Sequence, residues 1–134
     1  MSWMNILKNE SHFIWNADIF SWSDKHKEWL ESLDWGQIRQ YKTGFPIWQI
    51  EKHFNSQITD LKGIMDKAWE ALSENLEDKK ELQQLSDSLG NQYQEMITGI
   101  LNHANDAFRQ IAGIQYDLAS QDEATGAVKL KWVE

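Results

Sequence analysis

Apolar side chains recur at steps of three and four over more than half of this chain. One run passes through Ile47, Ile50, Phe54, Ile58, Leu61, Met65, Ala68, Leu72 and Leu76. A second passes through Leu82, Leu85, Leu89, Tyr93, Met96, Ile100, Ala104, Ala107, Ile111, Ile114 and Leu118. That spacing puts each run on one face of an amphipathic helix. Two such helices joined by a short turn must fold back on each other to hide their stripes. The expected fold is therefore all-α: a long antiparallel helical hairpin, short Trp-rich helices before it and an extended C-terminal tail after it.

The boundaries come from local chemistry. Thr43-Gly44-Phe45-Pro46 closes a first region, residues 1–45, because Gly stops a helix and Pro fits a first turn. Short helices are expected there at about 3–8, 24–33 and 35–42, with Ser2, Ser23 and Asp34 placed as N-caps. The first long helix is expected from about Pro46 to Leu76, with its turn near 75–78. Asp78-Lys79-Lys80-Glu81 has the form of a capping box for the second, expected from about Lys79 to Ala119. Gly90 is its weak point, but the stripe keeps its phase there, so a continuous helix is expected. At 1.5 Å per residue the two helices reach about 45 Å and about 60 Å, which leaves an overhang. Residues 120–134 are the tail. In it Val128, Leu130 and Trp132 alternate with Lys129 and Lys131, the pattern of a strand. A lone strand is not stable. Its partner is expected to be His12-Phe13-Ile14-Trp15 or the edge of another subunit's sheet. The whole is one domain by length, 134 residues.

Charge narrows the partners. There are 21 acidic against 13 basic side chains, a formal net charge of −8. Arg39 and Arg109 stand alone, and the lysine pairs lie far apart in sequence, so direct binding of nucleic acid or of an anionic membrane is not expected. No window is apolar enough for a membrane span, and the first residues lack the pattern of a secretory signal. A cytoplasmic location, or incorporation into a virion or another particle assembled inside cells, is the expectation. With no cysteine, thiolate metal sites and cysteine nucleophiles are excluded.

No motif points to catalysis, to a cofactor or to a metal. His12, His26, His53 and His103 lack the Glu-x-x-His and His-Glu-x-x-His patterns of helical metal sites. They are expected as surface or satisfied core residues. Phosphate-binding glycine loops and the Gly-x-Ser-x-Gly elbow are missing too. Gly99 and Gly113, costly inside a helix, are expected to receive a tryptophan or a neighbouring helix. Six of the eight tryptophans fall between Trp3 and Trp48. Trp15, Trp22 and Trp29 are spaced by seven, in step with Ile19, His26 and Leu33. They serve either as a core that caps the hairpin or as anchors for a partner.

The functional expectation is a non-enzymatic structural or assembly protein that oligomerises, or docks into a larger particle such as a virion, tail or connector. Its contacts would be helix faces and the tail, with Trp15, Trp22, Trp29, Val128, Leu130 and Trp132 as interface candidates. The alternative is a small acidic binding module, an inhibitor or adaptor for one protein partner.

Overall fold

The computed structural model describes residues 10–134, with side chains from residue 16 onward. Helix α1 spans Glu10–Ser32, α2 Trp35–Tyr41, α3 Ile47–Ser73 and α4 Lys79–Ala112. Strands β1 (Tyr116–Gln121) and β2 (Val128–Trp132) complete the described chain. The helices expected at 24–33 and 35–42 are present, but the first is only the end of a longer one. Ser23 lies inside α1 and caps nothing; Ser2 and residues 3–8 lie outside the described residues. Asp34 does cap α2, accepting a hydrogen bond from the Gln37 amide at 3.0 Å. A short 3-10 turn, Lys42–Gly44, leads to Pro46 and α3.

The long hairpin is as expected. Ile50, Phe54, Ile58, Leu61, Met65, Ala68 and Leu72 bury the α3 stripe. The Asp78 carboxylate accepts from the Lys80 amide at 2.8 Å and starts α4, which runs unbroken through Gly90. Its far end departs from expectation. Gly113 takes a left-handed φ of 69°, and its amide donates to the Arg109 carbonyl while the Ile114 amide donates to that of Phe108. This is a glycine C-cap, so α4 stops at Ala112 rather than near Ala119. Ile114 and Leu118 fit the helical spacing by coincidence. The packing expected on Gly99 and Gly113 is not found: among the described residues, no atom beyond their own chain neighbours and helix backbone lies within 4 Å of where either Cβ would stand.

Beyond the cap the chain forms a β-hairpin. β1 and β2 pair antiparallel, Tyr116 opposite Trp132 and Leu118 opposite Leu130, with an irregularity between Leu118 and Ser120. The strand Val128–Trp132 thus finds its partner inside this chain, in residues expected to be helix and tail. It does not pair with His12-Phe13-Ile14-Trp15, which belongs to α1. Helix side chains cover the outer edges of the pair. Asn55 of α3 both donates to the Val128 carbonyl (3.2 Å) and accepts from its amide (2.8 Å), and Glu51 accepts from the Leu130 amide (2.9 Å). Asn105 of α4 does the same for Tyr116, at 2.8 and 3.1 Å. Two strands that could not stand alone are held as a third layer on the helices.

Asn55 is therefore a specific tie. Asn55→Leu leaves both Val128 backbone groups unpaired and lowers stability by about 2–3 kcal/mol. Amide exchange at Val128 and Leu130 accelerates with it. If those amides exchange as slowly in the variant as in the parent, the tie is not what holds the hairpin.

α3 is the central element, packed by α1, by α4 and by β2. The longer α4, about 51 Å against about 40 Å for α3 by the same rise per residue, is not left bare. α2 and the hairpin meet its last turns, where Trp35, Tyr116 and Trp132 gather around the fully buried Phe108. One continuous apolar core joins all these elements.

Candidate functional site

Each long helix contributes one histidine to a single layer. His26 sits on α1 between Trp22 and Leu30, on the face that meets α3. His53 and His103 sit on α3 and α4, each one residue before a buried side chain, Phe54 and Ala104. Antiparallel packing brings the three rings together. His26 Nδ1 lies 3.1 Å from His53 Nε2, and His26 Nε2 lies 3.1 Å from His103 Nδ1. Trp29 closes the layer, its ring stacked on His53 with centroids 3.7 Å apart and planes 5° from parallel.

A neutral imidazole has one donor and one acceptor, so three in a row satisfy each other in either direction. A proton added to His26 would let it donate both ways. Burial opposes that charge. His26 is only 2% exposed, and desolvation, reinforced by His103 and then by Lys27, lowers its pKa to about 4. Desolvation and then His26 lower that of His53 to about 3. The rings form a chain and not a cage: His26 turns opposite nitrogens to its two neighbours, whereas a metal needs nitrogens converging on one point at about 2.0–2.1 Å. Among the described residues no cluster of histidines and carboxylates is arranged to hold a metal ion. Satisfied core histidines, as expected from the sequence, describe His26 well.

The interface candidates take different places in this structure. Trp22 is buried, its indole N–H donating to the Gln57 carbonyl at 2.7 Å while the Gln57 amide donates back to the Trp22 carbonyl at 3.3 Å. Val128 and Leu130 are buried beneath the hairpin. These three are packed into the chain's own core, which for Trp22 is the first of the two roles read from the sequence. Trp132 is half-buried and donates to the Phe45 carbonyl at 2.7 Å. Trp29 is half-buried on His53. The side chain of Trp15 lies outside the described residues.

Other aromatic residues take the exposed role. Trp48 is 60% exposed and Phe20 72%, and Tyr41 and Trp69 also reach solvent. A signal for this is present in the sequence: Trp48 and Trp69 stand off the α3 stripe, beside Ile47 and Ala68 rather than on its buried line. Two concavities carry Trp48 and Trp69. One, about 310 Å³, is lined by Trp48 with Trp29, Leu33 and Phe45 at the α1–α3 end. The larger, about 550 Å³, lies between α3, α4 and the turn of the hairpin, where Met65, Trp69, Leu89 and Tyr93 meet Asp66 and Glu123. No helix among the described residues is long and apolar enough to cross a membrane. Comparison with protein-family models, with curated proteins and with solved structures found no match to this chain.

Proposed function

We propose that this chain is a non-enzymatic assembly subunit that binds copies of itself, or the proteins of a larger particle, through the aromatic end of α1 and α3. The observation that carries this reading is Trp48. Its ring is mostly in water although a hydrophobic core lies beside it, and with Trp29, Leu33 and Phe45 it frames a recess whose other wall is polar, from Gln49 and Lys52. Exposed tryptophan over a pocket is the typical anchor of a protein interface. Two copies related by a twofold axis would each offer both a ring and a recess. The tail is not the tether in this reading, because its strand is already paired and its edge capped within the chain.

Truncating an interface anchor costs about 2 kcal/mol or more of association, roughly thirtyfold in affinity. The test is Trp48→Ser, compared with the parent by light scattering over the same concentrations. Loss of the multimer with an unchanged melting temperature supports the reading. A variant with the parent's mass at every concentration removes Trp48 from the interface and this reading with it. A second reading, an acidic module that holds one protein partner, is favoured by the larger groove.

A further inference from the structure

The groove between α3, α4 and the hairpin turn is independent of the Trp48 patch, and its chemistry is different. Met65 and Leu89 supply an apolar floor, and Trp69 and Tyr93 supply aromatic walls. Tyr93 is a fixed wall. Its hydroxyl donates to the Thr125 carbonyl at 2.7 Å and also lies 3.3 Å from that of Ile58. The hairpin turn seats against it at Gly126, whose φ is +82°, and where a Cβ would come within 3.2 Å of the ring. The turn itself is built by Asp122, whose carboxylate accepts from the Ala124 and Thr125 amides at 2.9 and 2.8 Å. These bonds, chiefly those with Thr125, hold the Asp122 pKa below the ordinary carboxylate value, so it stays charged. Asp66 and Glu123 add negative charge to the rim. Among the described residues Lys62 is the one cation there, and it is already paired with Asp66 at 2.9 Å.

We infer that this groove is the docking site for a basic amphipathic segment of a partner protein, apolar side chains on its floor and lysine or arginine at its rim. Charge complementarity selects the occupant. A net-negative rim on a chain of formal charge −8 repels acidic segments and attracts basic ones. Aromatic walls favour a cation over any other polar group. The volume, about 550 Å³, suits a few side chains rather than a whole domain. Gly90 lines the groove in mid-helix, a place where glycine weakens a helix, and among the described residues nothing outside its own helix turn lies within 4 Å of where its Cβ would be. A side chain added there meets open groove.

Gly90→Leu obstructs the groove while favouring the helix, so the protein stays folded. The probe is a fluorescently labelled helical peptide with lysines on one face and leucines on the other, monitored by anisotropy with the full chain. A second peptide carries glutamate in place of each lysine. The expected result is salt-sensitive binding of the lysine peptide, weakened about tenfold or more by Gly90→Leu and by Trp69→Ala, with no binding of the glutamate peptide. Equal binding to the parent and to Gly90→Leu overturns the proposal, and so does equal binding of both peptides. Displacement by spermidine alone at matching concentration reduces the contact to bare charge and also overturns it. If the peptide binds only after residues 1–9 are removed, the occupant is the chain's own N-terminal segment. If Gly90→Leu converts a multimer into a monomer, the occupant is a second copy. Either result overturns the partner assignment. The Trp48 test has no bearing on these outcomes, so the two readings fail separately.

Discussion

Replacing Phe108 by alanine lowers the free energy of unfolding by about 3–5 kcal/mol, the range for emptying a large aromatic site in a packed core. For a chain of this length that is a fall in melting temperature of roughly 10–20 °C. The size reflects where the ring sits. It is fully buried, with ring centres of Trp35, Trp132 and Tyr116 at 5.1, 5.6 and 5.8 Å. These come from α2, β2 and β1, so one side chain on α4 binds three other elements. Each aromatic pair adds about 0.5–1.5 kcal/mol beyond buried area. A typical domain has only about 5–15 kcal/mol in total. Thermal melts of parent and variant check this. A loss below about 1 kcal/mol would mean that α2 and the hairpin are not docked on α4 as described.

Acid should destabilise the protein well above the range where carboxylates protonate. In the folded chain His26 and His53 have pKa values lowered to about 4 and about 3, against 6.5 for the free side chain. Below pH 6.5 the unfolded chain therefore binds protons that the folded chain refuses, and stability falls as pH falls. The loss continues until the folded rings themselves protonate, near pH 4 and below. His26, being buried, contributes up to about 1.4 kcal/mol per pH unit in that window. His53 is partly exposed, and solvent screening makes its share smaller. Asp122 works in the same direction but lower, because a depressed carboxylate pKa withdraws its support only as pH drops through that lowered value. Urea unfolding between about pH 7.5 and 5 isolates the histidines. The midpoint should hold steady above about pH 7 and fall steadily below about 6.5. A midpoint unchanged down to pH 5 would contradict the buried neutral chain.

The sequence is most legible where one face has to be apolar. The α3 line from Ile50 to Leu72 keeps the period of a helix, and Asp34 and Asp78 cap where their chemistry says they should. On α4 the expected line holds at Leu85, Leu89, Ile100 and Ala104, but the buried side also takes Ile97, Leu101 and Phe108, while Ile111 of the expected line is exposed. α1 is harder to read. Phe20 breaks the separation of faces, and Ser23-Asp24 imitates a helix start although both tolerate a helix interior near solvent. The end of α4 is hidden because Ile114 and Leu118 keep the helical phase, while the deciding residue, Gly113, acts through a backbone angle that spacing does not reveal. Ser120 to Gly126 has the composition of a polar tail because its turn is made by one carboxylate bonding two amides.

The histidine layer depends on something no local pattern carries. His53 and His103 lie 27 and 77 residues from His26, and only the register between three antiparallel helices makes them neighbours. His26 alone gives notice, since it falls in step with Trp22 and Trp29 on an apolar line. The C-terminal strand misleads in the other direction. Alternation in Val128–Trp132 suggests a surface in search of a partner, when it is one face of a hairpin whose partner strand carries a helical spacing.

The assembly reading is tested most directly by the absolute mass of the pure full-length protein, measured by size-exclusion chromatography with light scattering at several concentrations. The expected result is a defined multimer whose mass persists on dilution until the Trp48 contact dissociates. A compact monomer at every concentration would contradict self-assembly and leave the acidic groove as the surface to pursue.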